Sequence, residues 1–350
     1  MRRFIVAAAA ALLLALPSTA TAKHGLEFRG QAIVPSGTTF ANTIVGGLSS
    51  ITYDEKRGVY YAVADDPASV RYYSVSLDIR DGRLTNGDVR FESFTRLLAP
   101  GGQPYAPASI DPEGLALTKD RRLIFTSEGM ANTGVAPFVR RYGLDGRFQA
   151  DLPVPAEFLP TPTQGVRQNL GFESAGVTPN GRHLFTATEN ALVQDGPAAT
   201  VATGSAARIL RYDLPSGRLD RQWTYTTDPV AEPSNPTTAF SVNGVVELLP
   251  LNSRFLIAME RSFSVGAPDT GNTIKLFLVA LGPRGKTYKR LILNLDMLGI
   301  PLDNVEGLTF GPRLRDGRQS LVLVSDNNFA ATQFTQFLLF ATPALPKGRG

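Results

Sequence analysis

Apolar residues along this chain occur in short runs that are separated by tight polar turns. From residue 49 onwards one arrangement recurs, in which a short apolar strand, a polar turn and a second, strongly apolar run follow one another. The second run ends in an acidic residue in each copy. β-Branched and aromatic residues are common in these runs, whereas Gly, Asn, Asp and Pro mark the turns, as is typical of β-hairpins. The pattern therefore predicts an all-β protein built from repeated hairpins.

The arrangement occurs five times, and its paired runs fall at 49–53 and 59–65, 113–117 and 123–128, 173–177 and 183–189, 246–249 and 255–260, and 306–310 and 321–326. Two further strand-like runs follow each hairpin except the last. Four strands per repeat is typical of a β-propeller blade. The count predicts five four-stranded blades, with six as the alternative if a long connection contains a degenerate blade.

The fifth repeat lacks one strand within its own stretch of chain. Only one strand-like run, 333–341, follows residue 326, whereas the segment 26–34 has strand character and belongs to no repeat. Pairing of these two segments would complete the fifth blade and leave no open sheet edge. We therefore predict a propeller that is closed by strands from the two ends of the chain.

The first residues follow a different pattern. Arg2 and Arg3 precede an apolar stretch, 4–16, which is followed by small residues that end at Ala22. This order predicts a secretory signal peptide over residues 1–22. Residues 23–350 are then expected to form a single propeller domain, exported to the periplasm or the medium and monomeric. No later segment approaches the ~20 apolar residues of a membrane-spanning helix, so no membrane span is expected.

Composition narrows the possible functions further. The chain has 35 basic and 31 acidic residues, and removal of Arg2 and Arg3 leaves 33 against 31. Because no basic stripe with interleaved aromatic residues is present, nucleic acid is not an expected partner. Cysteine is absent, which excludes disulfides, a thiol nucleophile and a cysteine metal site. No G-x-S-x-G or H-E-x-x-H motif supports a serine hydrolase or a zinc protease.

In an up-and-down blade, the start of the first strand and the end of the second strand lie on the same face. The long connections lie there too, at 99–111, 129–137, 153–171, 190–206, 227–241 and 261–272. Function is expected on this upper face, since loops on a rigid scaffold supply most binding and catalytic groups.

Two acidic rings are predicted on the upper face. The inner ring contains Ser49, Glu113, Glu173, Glu247 and Glu306, and the outer ring contains Asp65, Glu128, Glu189, Glu260 and Asp326. Several glutamates cannot remain ionised around one channel without a compensating cation. Ca²⁺, which accepts six to eight oxygen ligands, suits such a ring, and the inner ring together with Asp326 is its predicted ligand set. The alternative is that each glutamate only caps a strand by accepting hydrogen bonds from backbone N–H groups.

The outer ring is the predicted source of catalytic groups. Glu260, Glu128 or Glu189 could activate water, and the adjacent Arg261 could stabilise developing negative charge. The alternative for these acids is that they end their strands facing solvent.

Four motifs resemble a known family: Asp111-Pro112-Glu113-Gly114-Leu115, Phe172-Glu173-Ser174, Asn304-Val305-Glu306-Gly307-Leu308 and Ser325-Asp326-Asn327-Asn328-Phe329. They are similar to repeated signatures of bacterial phytase-like proteins, described as having esterase-like activity of phytase. The chain resembles more distantly the calcium-activated nucleotidases, whose five-bladed propellers hold a channel ion with serine and glutamates. The resemblance implies an exported, calcium-dependent propeller that acts on phosphate esters or other esters.

Two functions follow as hypotheses. The first is a hydrolase of a small-molecule ester with Ca²⁺ in the channel. The second is a non-catalytic propeller that binds an extracellular ligand or partner and uses Ca²⁺ only for structure. The chain lacks the many lysines with which propeller phytases hold a polyphosphorylated substrate, which argues against phytate itself.

Overall fold

The computed structural model describes residues 25–66 and 68–343, which form five antiparallel four-stranded sheets and one small hairpin. The predicted signal peptide, residues 1–22, lies outside the described residues. The first strands of the five sheets contact one another in a closed cycle around a central channel, so the sheets are the blades of a propeller. The prediction of five blades is confirmed.

Blade 1 contains β4 (Leu48–Asp54), β5 (Val59–Ala64), β6 (Arg71–Leu77) and β7 (Val89–Arg96), and blade 2 contains β8 (Pro112–Leu117), β9 (Leu123–Ser127), β10 (Phe138–Tyr142) and β11 (Phe148–Leu152). Blade 3 contains β12 (Gly176–Val177), β13 (His183–Ala191), β14 (Ala206–Asp213) and β15 (Arg218–Thr226), and blade 4 contains β16 (Ser241–Pro250), β17 (Phe255–Ser264), β18 (Asn272–Leu281) and β19 (Thr287–Asn294). Blade 5 contains β20 (Asn304–Arg313), β21 (Gln319–Asp326), β22 (Thr335–Ala341) and β1 (Glu27–Val34).

Short elements occupy some of the connections between these strands. A hairpin of β2 (Thr39–Phe40) and β3 (Thr43–Ile44) precedes blade 1. The helical elements are single 3-10 turns at Asn86–Asp88, Ala131–Thr133, Ala156–Phe158, Val193–Asp195, Pro283–Gly285 and Leu295–Leu298. Within the described ranges no helix is long and apolar enough to cross a bilayer.

The ring is closed by the first and last strands of the described chain. β1 pairs antiparallel with β22 from Glu27 opposite Ala341 to Val34 opposite Thr335. β22 pairs in turn with β21, so the fourth strand of blade 5 comes from the beginning of the chain. This pairing is the predicted closure, and it satisfies backbone groups that an open ring would expose at both ends.

The hydrophobic core is divided into five clusters, one between each pair of neighbouring blades. Val63 and Phe125, for example, belong to the cluster between blades 1 and 2, and Ile257 and Leu321 to the cluster between blades 4 and 5. Inner strands such as β5 are buried along their whole length because both of their faces meet a neighbouring blade. The outermost strands β7 and β19 contain both exposed and partly buried residues, because these strands face solvent.

Blade 3 and the upper connections differ in extent from the prediction. The first strand of blade 3 is only β12, because Ser174 Oγ rather than a backbone carbonyl accepts the N–H of Ala187 at 2.9 Å and interrupts the ladder. The connections expected at 190–206 and 261–272 are shorter, since β13 continues to Ala191 and β17 to Ser264.

Candidate functional site

The upper end of the central channel opens into a cavity of about 660 Å³ with a mainly acidic wall. Ten carboxylates line it: Asp65, Asp111, Glu113, Glu128, Glu173, Glu189, Asp269, Asp303, Glu306 and Asp326. Arg261 is the single basic residue among the described residues of this wall. The excess of negative charge makes the cavity a natural site for cations.

The inner acids reach the cavity from irregular positions at the start of the first strands. The pairing register shifts around Glu306 in blade 5, and similar shifts occur around Ser49 and Glu113 in blades 1 and 2. Such a bulge re-aims the side chain of the extra residue. Glu113, Glu173 and Glu306 accordingly line the cavity. Ser49 is buried beside them, where its hydroxyl contacts the carbonyl of Gly47 at 3.4 Å, and it is not part of the wall.

The outer acids lie at or near the upper end of the second strand in four blades. In each of these blades, the residue directly before the inner acid or serine pairs with an equivalent residue of the second strand. These equivalent residues are Ala64, Ser127, Thr188 and Ser325. The next residues are Asp65, Glu128, Glu189 and Asp326, and all four line the cavity. Asp65 packs so closely on the backbone that a Cβ at Gly47, whose φ is 62°, would lie 2.1 Å from its Oδ1. Glycine is therefore required at position 47.

Blade 4 differs from the others by one step of register. Val245 pairs with Glu260, so Glu260 takes the position of Ala64 or Ser325 in the other blades. Arg261 then occupies the place of the outer acid, and Val246, at the register shift, occupies the place of the inner acid. The predicted ligand Glu247 and the predicted catalytic residue Glu260 are each displaced by one residue, and neither lines the cavity.

A sequence signal for this shift exists in the apolar residue that follows. Leu248 corresponds to Leu115 and Leu308 of the Glu-Gly-Leu motifs. When the blade sequences are aligned on this leucine, Glu247 corresponds to the glycine of those motifs. When they are aligned on the acid, Glu247 corresponds to Glu113. The structure follows the leucine, because packing of the apolar side chain between blades determines the register.

Glu247 lies inside the channel and is 1% exposed. Its Oε2 accepts a hydrogen bond from Ser50 Oγ of blade 1 at 2.6 Å. Its Oε1 accepts from the N–H groups of Ala175 of blade 3 at 3.2 Å and of Leu248 at 2.9 Å. Burial raises the pKa of Glu247 well above its ordinary value, although these donors oppose the shift. A side chain of blade 4 thereby connects three blades across the channel.

This crossing separates the upper cavity from a second one below it. The lower cavity, of about 1260 Å³, is lined by the inner strands beyond Glu247, among them Ala175 and Leu248, and by the tight turns of the opposite face. The two cavities share no lining residue among those described. Glu247 therefore lies between the two cavities without lining either of them.

Glu260 lies between blades 3 and 4 in a saturated network. Its two carboxylate oxygens accept hydrogen bonds from Tyr225 Oη at 2.6 Å, Lys289 Nζ at 2.6 Å, Asn243 Nδ2 at 3.0 Å and the N–H of Asp228 at 2.8 Å. Lys289 also contacts Asp228 Oδ1 at 2.7 Å. These donors hold the Glu260 carboxylate between the two blades, outside the cavity wall.

Two groups of three acids have the spacing that a metal ion requires. They are Asp65, Asp111 and Glu113 in one group and Glu128, Glu173 and Glu189 in the other. Within each group, one carboxylate oxygen from every member lies within 4.8 Å of the others. Asp65 Oδ1 and Glu189 Oε1 are buried and accept no hydrogen bond from the described residues. Such oxygens fit a hard divalent cation with oxygen ligands, such as Ca²⁺.

Asp111 is a member of this wall that the sequence prediction did not include. It directly precedes Pro112 and Glu113 within a motif that resembles the family. Its burial raises the pKa of its carboxyl group, and its charge also raises the pKa of Glu113. The signal was the motif itself, since an acid two residues before Glu113 is close enough to share its surroundings.

Burial and mutual repulsion raise the pKa values of several acids around the cavity. Burial raises the pKa of Glu128 to about 8. Burial also raises the pKa of Glu189 to about 7 against the opposing charge of Arg261, and burial together with the charge of Glu306 raises the pKa of Asp326 to about 8. The same effects raise the pKa well above the ordinary range in Asp65, Glu113 and Glu173. A bound cation would stabilise the ionised forms.

Arg261 is paired with acids on both sides of it. Its Nη2 lies 2.8 Å from Glu306 Oε1 and 3.6 Å from Glu189 Oε1, and its side chain is 12% exposed. Burial alone would lower the pKa of the guanidinium, but the charges of Glu189 and Glu306 raise it above its ordinary value. Arg261 therefore neutralises the part of the wall formed by blades 3 to 5, whereas no described basic residue lines the part formed by blades 1 and 2.

Comparisons with known proteins identify a family model and several solved structures that are similar to this chain. A family model described as "Phytase-like: Esterase-like activity of phytase" matches residues 43–329. No curated protein matches the chain. An endo-arabinase from Bacteroides thetaiotaomicron is similar in structure, with 14% identity, coverage of 93% of this chain and 97% of the other, and a TM-score of 0.45. A tail fibre of Staphylococcus aureus phage P68 has 11% identity, 90% and 53% coverage, and a TM-score of 0.44.

Proposed function

This chain belongs to the phytase-like family, and we propose that it is an exported, calcium-dependent hydrolase of small-molecule phosphate esters or other esters. It acts as a monomer in the periplasm or the medium. The observation that supports this proposal is the pair of three-carboxylate groups in one cavity together with a guanidinium. A metal ion that is held by carboxylate oxygens beside a guanidinium is suited to binding and polarising an anionic ester.

The group of Asp65, Asp111 and Glu113 is the best candidate to hold Ca²⁺. No described basic residue lines this part of the wall, and Asp65 Oδ1 has no hydrogen-bond donor among the described residues. When bound, Ca²⁺ would supply Lewis-acid stabilisation of negative charge on an ester oxygen. Glu247, by contrast, already accepts hydrogen bonds with both oxygens, so we assign it to the scaffold.

Glu189 is the best candidate for the general base. Its Oε1 is buried, faces the cavity and lacks a hydrogen-bond donor among the described residues. Burial raises the pKa of Glu189 to about 7, close to the value at which a base is both ionised and able to accept a proton. In the proposed step, water forms a bond to phosphorus or to the carbonyl carbon, Glu189 accepts its proton, and the ester oxygen leaves with a proton from solvent.

Arg261 is the candidate for binding the anionic group of the substrate. Its Nε is buried and makes no hydrogen bond within the described structure, although Nη2 is paired with Glu306. A guanidinium can donate to an oxyanion with one edge while another N–H remains bonded to a carboxylate. Arg261 can therefore position the ester beside Glu189, which lies 3.6 Å from its Nη2.

Excess Ca²⁺ is expected to stabilise the protein and to be required for turnover. Relief of repulsion among the cavity acids should increase the free energy of unfolding by about 4 kcal/mol when Ca²⁺ is present at roughly 1,000 times its Kd. Thermal unfolding with Ca²⁺ and with chelator would measure this effect. Hydrolysis of a phosphomonoester and a carboxylic ester would be assayed on the same samples. An unchanged midpoint and no ester cleavage would contradict the proposal.

A non-catalytic propeller is the second candidate, and the pairing of Arg261 with two acids favours it. A guanidinium that only neutralises Glu306 and Glu189 would leave the cavity as a structural cation site. The upper face would then bind an extracellular ligand or partner without turnover.

Two isosteric variants distinguish these candidates. Glu189→Gln removes the proposed base and is expected to reduce kcat by about 100-fold or more while the stabilisation by Ca²⁺ persists. Glu260→Gln, the matched control, lies outside the cavity and should lower stability with much smaller loss of kcat per folded molecule. Equal turnover by wild type and Glu189→Gln would exclude Glu189 as the base. Absence of turnover in the wild type would favour the binding protein.

A further inference from the structure

One side of the cavity wall is apolar, and blade 4 provides most of it. Phe240, Val242 and Phe263 line the same cavity as the acids, and Leu170 of the connection between blades 2 and 3 adds to this surface. Val242 and Phe263 are cross-strand partners on β16 and β17. The rings of Phe240 and Phe263 are 6.3 Å apart at an interplanar angle of 41°. The cavity thus combines an acidic wall with an aromatic one.

Phe240 is a large apolar residue that the fold leaves exposed. Its side chain is 62% exposed, although it lies beside the long first strand of blade 4 and lines a concave site. Its backbone is held in place, because its carbonyl accepts the N–H of Val265 at 3.0 Å. Aromatic side chains on the wall of a pocket commonly supply contact area to a ligand, since burying them against it is favourable.

The arrangement of charge limits which ligands suit this wall. Blade 4 has Val246 and Arg261 where the other blades have acids or serine, so the aromatic surface adjoins the single guanidinium of the described wall. A ligand that places an anion near Arg261 can therefore lay an apolar group on Phe240 and Phe263. A ligand with phosphates on all sides would instead meet ten carboxylates and one guanidinium.

We infer that the substrate is an amphiphilic ester, with one anionic centre next to an aromatic or similarly sized apolar group. This inference rests on the proposed function and specifies its substrate class. The anionic centre lies between Arg261 and the one acidic group that we assign to Ca²⁺, and the apolar group packs on Phe240 and Phe263. Phe240 and Phe263 are thus specificity-determining residues rather than catalytic ones.

Binding of two phosphonates in excess Ca²⁺ tests the inference without turnover. A phosphonate mimics a phosphate ester and also the tetrahedral anion formed during hydrolysis of a carboxylic ester. Isothermal titration calorimetry should show phenylphosphonate binding about tenfold more tightly than methylphosphonate, which corresponds to about 1.4 kcal/mol. Equal affinities in the wild type, or binding of neither compound, would overturn the inference.

Phe240→Ala should reduce the preference for phenylphosphonate to about twofold. Tyr288→Ala is the matched control, because Tyr288 is also 62% exposed on blade 4 but belongs to β19 and is not part of the cavity wall. It should retain the wild-type preference. A preference that survives Phe240→Ala would overturn the inference, since another surface would then bind the ring.

Ester assays on the same samples separate the inference from the proposed function. If phenylphosphonate is preferred but no ester is cleaved, the amphiphilic site stands and the hydrolase proposal fails. If esters are cleaved but the apolar group does not affect KM in the wild type or in Phe240→Ala, the hydrolase proposal stands and the inference about its substrate fails.

Discussion

Replacement of Glu247 by alanine is expected to lower the free energy of unfolding by about 3–5 kcal/mol, because it leaves several buried donors without an acceptor. The Ser50 hydroxyl and the N–H groups of Ala175 and Leu248 all lose their partner. Urea denaturation monitored by circular dichroism would measure the change.

Glu247→Gln should lower stability much less than Glu247→Ala. The glutamine Oε1 can accept the two backbone N–H groups, and its Nε2 can donate to Ser50 Oγ, so most contacts are retained without a buried charge. Glu92→Ala is a matched control, because Glu92 is exposed on β7, and it should change stability by less than about 0.5 kcal/mol. If Glu247→Ala is as stable as this control, the cross-channel contacts do not stabilise the fold.

A test at Glu247 also separates the ligand set that the sequence predicts, which includes Glu247, from the arrangement in the structure. Substitution of a residue that binds Ca²⁺ in the cavity should weaken Ca²⁺ binding. Because Glu247 is not part of the cavity wall, Glu247→Gln should retain the Ca²⁺-induced increase in stability. Glu113→Gln should reduce it, since Glu113 belongs to the three-carboxylate group that we assign to Ca²⁺.

The stability of the metal-free protein is expected to fall as pH rises from about 5 to 8. The pKa of Glu189 is raised to about 7 in the folded protein, and the pKa values of Glu128 and Asp326 to about 8, whereas unfolded Glu and Asp titrate near 4. The folded state therefore binds more protons than the unfolded state in this range. Stability is lost as pH rises through the folded pKa values, by about 1.4 kcal/mol per pH unit for each extra proton.

Urea denaturation of metal-stripped protein at several pH values, with and without excess Ca²⁺, would measure this dependence. Because Ca²⁺ binds the ionised carboxylates, it should flatten or reverse the slope and become more stabilising at higher pH. Glu128→Gln should reduce the slope in the stripped protein, and the exposed control Glu92→Gln should not. A stripped protein that becomes more stable from pH 5 to 8 would show that the cavity acids are ionised at little cost.

The blade count, the closure and most of the acidic wall could be predicted from sequence because each depends on a local pattern. Hairpin turns and β-forming runs recur in order, and an acid near the end of the buried second strand reaches the upper face in four blades. Register is less local. In blade 4 the packing of Leu248 between blades determines the alignment, so the leucine carries the signal, whereas the acid and its spacing from the turn indicate a different register.

Positions that depend on contacts across the channel could not be predicted in the same way. The role of Glu247 depends on Ser50 and Ala175 from other blades, which lie 197 and 72 residues away in sequence. The saturation of Glu260 likewise depends on Tyr225 and Lys289, from strands whose relative placement only the folded ring defines. Asp111 was different, because it stood within a motif that was already recognised.

The closure of blade 5 has a mechanical consequence. Glu27, at the start of β1, lies opposite Ala341, at the end of β22, so both ends of the described chain leave the blade on the same side. A force that pulls these ends apart would load one hydrogen-bonded pair at a time, so the two strands would separate progressively from one end. The force would not load the whole ladder in shear at once. The ring should therefore be mechanically weak when pulled by its ends, even where its free energy of unfolding is high, since resistance to force follows the rate of unfolding.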